Sequence, residues 1–121
     1  MAKKVLIEED EGIIAMLNKR IVEKMGLQVC ASVTSGADAI KTQASLEPDL
    51  ILMDILLDDD ISGIEAMQEI RKTSNTPVIF ISANSDRSTY EKAISISNSS
   101  FLNKPVDIDS LKEKISAVLE L

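Results

Sequence analysis

Carboxylates, an amine and a hydroxyl stand in this sequence at the places where apolar runs stop. Glu9 and Asp10 come just after Val5-Leu6-Ile7, and Asp54 closes Leu50-Ile51-Leu52-Met53. Ser82 closes Val78-Ile79-Phe80-Ile81, and Lys104 comes just after Phe101-Leu102. Acidic oxygens suit a hard divalent cation such as Mg²⁺, and an ammonium beside a hydroxyl suits an anion. The chain has no His, so the commonest general base and metal ligand is missing and any chemistry falls to carboxylates, hydroxyls and lysines. Each residue also has a plain reading. Asp54 could cap a turn, Glu9-Asp10-Glu11 could favour the positive end of a following helix, and Lys104-Pro105 could be an ordinary turn. Function depends on whether the fold brings them together.

The elements that must do so follow from periodicity. Val5-Leu6-Ile7 reads as a short strand ending in the acidic corner Glu8-Glu9-Asp10-Glu11. From Gly12 the spacing becomes helical, with Ile14, Leu17, Ile21 and Met25 as the expected inner stripe and Gly26 as the stop. Leu27 to Val33 alternates like an edge strand. A second helix, from about Gly36 to Leu46, is expected to turn Ala37, Ile40 and Ala44 inward behind a Thr34 or Ser35 cap, and Glu47-Pro48 stops it. The apolar strand into Asp54 follows, then a loop containing Asp58-Asp59-Asp60, then a helix from Ser62 to about Lys72 carrying Ile64, Met67 and Ile70. Thr76-Pro77 leads into the strand ending at Ser82. The span from Asp86 to about Ser97 is the weakest helix, with Tyr90, Ala93 and Ile94 as its inward set. Phe101-Leu102 makes a fifth strand, and Ile108, Leu111, Ile115 and Val118 mark a closing amphipathic helix.

Five strands alternating with five helices demand an α/β fold with a largely parallel sheet and helices on both faces, since each helix returns the chain to start the next strand. Ligands in such folds sit beyond the carboxyl ends of the strands, where Glu9, Asp10, Asp54, Ser82 and Lys104 are all expected. At 121 residues the chain has room for one core and one domain, residues 1–121. A net charge of −7 with no basic patch disfavours direct binding of nucleic acid. The single Cys30 has no partner for an internal disulfide and reads as a small core residue in a reducing compartment. Neither a signal peptide nor a membrane span is expected, so the reading is a soluble, cytoplasmic protein without membrane contact.

Four segments in order resemble the receiver domain of two-component response regulators, a chemotaxis-regulator-like resemblance that covers essentially the whole chain. Val5-Leu6-Ile7-Glu8-Glu9-Asp10-Glu11 is similar to that family's acidic opening, and Leu50-Ile51-Leu52-Met53-Asp54-Ile55 to its phosphoacceptor strand. Ile81-Ser82-Ala83 is similar to its hydroxyl-alanine step, and Phe101-Leu102-Asn103-Lys104-Pro105 to its aromatic and lysine-proline segment. The resemblance implies a flavodoxin-like sheet in the order 2-1-3-4-5. It further implies that Asp54 accepts a phosphoryl group, and that Asp10, Asp54 and the backbone carbonyl of Leu56 hold Mg²⁺, with Glu9 reaching it through water. Lys104 and Ser82 would contact the phosphoryl oxygens, the Lys104-Pro105 peptide would be cis, and Ser82 with Phe101 would form the switch.

The partners so implied are a histidine kinase or histidine phosphotransfer protein as donor and a downstream protein or output domain as target. A homodimer through the fourth helix, fifth strand and fifth helix is a further expectation. Two departures from the family pattern stand out: Asp58 where proline is usual, and Gly63 nine residues after Asp54, which fits a longer-loop variant. The alternatives are a receiver-like interaction module that is never phosphorylated, and an aspartyl-nucleophile phosphatase. Leu56 argues against the latter, because such enzymes need a second aspartate there.

Overall fold

The computed structural model describes residues 2–55, 62–83 and 86–121. Its elements run β1 (Lys4–Glu8), α1 (Gly12–Lys24), β2 (Gln28–Val33), α2 (Gly36–Leu46), β3 (Leu50–Asp54), α3 (Gly63–Ile70), β4 (Val78–Ser82), α4 (Arg87–Ile94), β5 (Ser99–Asn103) and α5 (Ile108–Leu119). The strands form one parallel sheet in the order β2-β1-β3-β4-β5. β3 and β4 are buried at every position, which is why they read as continuous apolar runs.

Side-chain alternation along the strands divides the core into two layers. Leu6, Ile51, Met53, Val78 and Phe80 pack with Ala39 of α2, Met67 and Ile70 of α3 and Ala93 of α4. Val5, Ile7, Leu50, Leu52, Ile79 and Ile81 pack on the other face with Val22 of α1 and Leu111, Ile115 and Leu119 of α5. Ser35 caps α2 by accepting from the Asp38 N–H at 3.1 Å. Ser62 and Glu65 close a capping box on α3, fixing the direction in which the chain leaves the segment after Asp54. Arg71, just past α3, donates to the carbonyls of Ser97 at 2.8 Å and Ser74 at 3.2 Å, tying the base of α3 to the turn before β5.

Several inner stripes differ from expectation. On α1 the buried residue is Val22, and Leu17 is 53% exposed. On α2 the buried set is Gly36, Ala39 and Gln43, one residue out of phase with Ala37, Ile40 and Ala44. α4 buries only Ala93, leaving Tyr90 and Ile94 more than two-fifths exposed, and it is shorter than expected. Ile108 on α5 is also exposed, and Leu119 is buried in its place. On α1, α4 and α5 only part of the apolar stripe is covered, whereas on α2 the covered face is rotated by one residue. Cys30 is half-buried and lies at a register shift, where Val5 pairs with Val29 and Leu6 with Ala31. Glu8, expected in the acidic corner, is the last residue of β1 and is 2% exposed.

Candidate functional site

β1, β3, β4 and β5 end on one rim of the sheet, and register sets which groups meet there. The Ile55 N–H donates to the Ile81 carbonyl at 3.0 Å, holding Asp54 level with β4. The Lys104 N–H donates to the Ser82 carbonyl at 2.8 Å, bringing the end of β5 onto the same rim. The Glu9 N–H donates to the Val33 carbonyl at 3.0 Å. One carboxylate oxygen from each of Glu9, Asp10 and Asp54 then lies within 4.8 Å of the others. Glu9 and Asp54 are buried and Asp10 faces solvent.

Lys104 closes this cluster from the β5 side. Its Nζ lies 3.1 Å from Asp54 Oδ1, 3.2 Å from Glu9 Oε1 and 4.0 Å from Glu11 Oε1. The second Glu9 oxygen accepts from the Glu11 N–H at 3.2 Å. The Lys104-Pro105 peptide is cis. Gly63 opens α3 directly against Asp54. A Cβ there would clash with the Asp54 carbonyl oxygen and lie 2.8 Å from Met53 Cγ. Gly63→Ala is therefore expected to cost about 1–3 kcal/mol and to displace the Asp54 backbone, measurable as a lower melting temperature with weaker divalent-cation binding.

The electrostatics describe a site short of positive charge. Burial, and then the Asp54 carboxylate, push the Glu9 carboxyl up to about 7, against the opposing pull of the Glu11 N–H and Lys104. Lys104 is penalised by burial, but its hydrogen bond and charge interaction with Asp54, supported by Glu9, outweigh that and raise its pKa. One ammonium thus faces Asp54, Glu9 and, at longer range, Glu11. Converging carboxylates of this kind are what a divalent cation relieves. The donor set is all oxygen, so it fits Mg²⁺.

Asp54, Asp10, Glu9 and Lys104 come together as the sequence led one to expect. Ser82 is buried at the end of β4 on the same rim. Phe101 sits farther down β5, half-buried, its ring packed edge-on to Tyr90 at 5.3 Å between centroids. Leu56 and the run Asp58-Asp59-Asp60 lie outside the described residues. Glu11, Gly63 and Glu8 were not singled out from sequence as site residues. Gly63 was noticed for its spacing, but its close approach to the backbone needs the fold. Nothing in the sequence separates a buried Glu8 from its acidic neighbours.

The family model for the response regulator receiver domain matches residues 5–116. The chain belongs to the response regulator receiver family. This receiver is 32% identical over 119 residues to the chemotaxis protein CheY of Thermotoga maritima, covering 98% of each chain. It is 42% identical over 88 residues to the phyllosphere-induced regulator PhyR of Methylorubrum extorquens, where the match takes in 72% of this chain and 33% of that one. It thus spans nearly all of one relative and about a third of the other. Among solved structures, the response regulator domain of Thermotoga maritima CheB superposes with a TM-score of 0.85 at 26% identity, covering 100% of this chain and 98% of that one. The parallel sheet in the order 2-1-3-4-5 with its five helices is the flavodoxin-like receiver fold. Receivers bind Mg²⁺ at an acidic pocket, and the receiver's Glu9, Asp10 and Asp54 form such a pocket. No helix among the described residues is long and apolar enough to cross a membrane.

Proposed function

We propose that residues 1–121 work as one cytoplasmic, phosphorylation-controlled switch that takes a phosphoryl group onto Asp54 from a histidine kinase or histidine phosphotransfer protein. The observation that carries this reading is the Asp54 carboxylate, 3.1 Å from the Lys104 ammonium and grouped with the oxygens of Glu9 and Asp10. An Asp54 oxygen attacks phosphorus as the donor's N–P bond breaks, and the departing imidazole keeps the electron pair and takes a proton. Lys104 pairs with oxygens of the transferring group, whose charge would otherwise repel Asp54. Asp10 and Asp54 would hold Mg²⁺, with Glu9 reaching it through water and, by family resemblance, the Leu56 carbonyl as a further ligand. Bound there, the ion neutralises charge on the acids and on the phosphoryl oxygens.

Output follows from what the group adds, about −1.5 to −2 of charge with strong acceptor oxygens. Ser82 is drawn toward it, and Phe101 moves into the space released. Tyr90 and Ile94 on α4, with Phe101 on β5, line a groove of about 490 Å³, which suits a downstream protein, an output domain or a second receiver. Donor access falls on the opposite side. Ile13 and Met16 on the first turns of α1 are 78% and 57% exposed and give a protein donor apolar footing beside Asp10.

The test is incubation with Mg²⁺ and a small phosphodonor, followed by intact-mass measurement. The parent chain gains one phosphoryl group and Asp54→Asn gains none. Equal gain in both, or no gain in either, removes the reading. Met16→Glu should slow transfer from the cognate protein donor by roughly tenfold, the rate equivalent of about 1.4 kcal/mol, while uptake from the small donor is unchanged.

A further inference from the structure

A cleft of about 770 Å³ runs between α1 and α5 and reaches down to Ile81 of β4. Its volume falls in the range typical of small-molecule sites. Its floor and walls are apolar, formed by Ile21, Ile81, Val106 and the ring of Pro105. The charged residues lining it are Arg20, Lys24, Lys104 and Lys112, and no acid lines it among the described residues. That is unusual in a chain of net charge −7. Lys104 is paired with Asp54 and Glu9, but Arg20, Lys24 and Lys112 have no ion pair with any described residue. Three cations without an ion pair among the described residues therefore line an apolar slot.

We propose that this cleft binds a small amphipathic anion, one carboxylate or phosphate on an acyl-sized apolar body. The anionic head sits among Arg20, Lys24 and Lys112, and the apolar body lies along Ile21, Val106 and Ile81. Shape favours a small molecule over a protein helix. A helix about 10–12 Å across with its side chains can lie over two packed helices, but it cannot enter between them as far as the sheet. The exposed ridge of Ile13 and Met16, which does not line the cleft, remains available to a protein. Because Lys104 lines both the cleft and the Asp54 cluster, an occupant touches the stem of the residue that faces the phosphoacceptor. Binding itself does not require Asp54 chemistry, so its failure and that of the phosphorylation reading are separable.

The experiment titrates octanoate, with octanol as the neutral control, into the full chain while isoleucine methyl resonances are followed by NMR. Saturable shifts are expected at Ile14, Ile21, Ile81 and Ile108, with octanoate at least about fivefold tighter than octanol. Arg20→Glu and Lys112→Glu should each weaken octanoate by a similar factor while leaving the circular dichroism unchanged and octanol unaffected. Shifts that do not saturate, that centre on the groove at Tyr90 and Phe101, or that survive both charge reversals would overturn the proposal.

Discussion

Glu8→Leu is expected to stabilise the receiver, by on the order of 5 kcal/mol at pH 9 and by about 1–3 kcal/mol at pH 4. Glu8 is 2% exposed, and among the described residues neither of its carboxylate oxygens has a partner at hydrogen-bonding geometry, the Asp54 backbone amide making only a weak approach. A neutral buried acid left in that state already forfeits its hydration. Ionising it is harder still. Burial, then the charges of Asp54, Glu9 and Asp10, raise its pKa from 4.5 to about 8, opposed only by the Asp54 backbone. Because the folded chain holds this proton more tightly than the unfolded chain, the favourable contribution is complete below about pH 4.5. It is lost as pH rises through 4.5 toward 8, so the parent should weaken across that window. Leucine fits the surrounding β1 pattern of Val5, Leu6 and Ile7 and does not titrate. Urea unfolding at the two pH values, with chelator present, checks it. Glu8→Gln separates the two parts of the argument, since it should flatten the pH dependence but gain little in acid. A leucine variant whose advantage is larger at pH 4 than at pH 9 would reverse the assignment.

Glu8 also shows where sequence reading stops. The strands were legible because β3 and β4 are buried on both faces and leave unbroken apolar runs, and because a parallel sheet forces their carboxyl ends onto one rim. From that alone Glu9, Asp10, Asp54, Ser82 and Lys104 were expected on a common rim. The helix faces were less legible. Ile14 and Leu17 keep helical spacing with Ile21, yet the cleft between α1 and α5 leaves Leu17 uncovered, and no residue of α1 announces that its neighbour stands off. On α2 the residues turned inward are Gly36, Ala39 and Gln43, a small-residue and polar set that apolar periodicity does not mark. Glu8 looked like the first residue of an acidic corner, because a strand one residue longer reads the same until its partner is known. Pairing with Val33 and Met53 is what draws it inside. Gly63 is similar: its distance from Asp54 in sequence was visible, but the reason for a glycine there is the Asp54 carbonyl packed against it.

The second large effect concerns the balance at the rim. Lys104→Met is expected to cost about 3–5 kcal/mol at pH 8, because it leaves Asp54 and Glu9 buried without their counter-charge. The loss should shrink toward pH 4. Glu9 already has its pKa raised to about 7; without Lys104 it rises further, so the part of the cost that comes from Glu9 develops as pH climbs above about 7 toward the variant's higher pKa and is absent in acid. Mg²⁺ should offset the loss at neutral and higher pH. An ion bound only by the folded chain stabilises it by about 2.7 kcal/mol at a hundred times its Kd, and the Glu9, Asp10 and Asp54 oxygens that would bind it are the groups that Lys104 leaves behind. The parent should therefore melt higher with Mg²⁺, and Lys104→Met should gain at least as much. Asp10→Asn should lose most of the rise, since Asp10 is the exposed member of the cluster and takes no ion pair with Lys104. Thermal melts of the three chains with and without Mg²⁺ read this directly. If Asp10→Asn is stabilised by Mg²⁺ as strongly as the parent, the ion binds elsewhere and the rim acids are balanced by Lys104 alone.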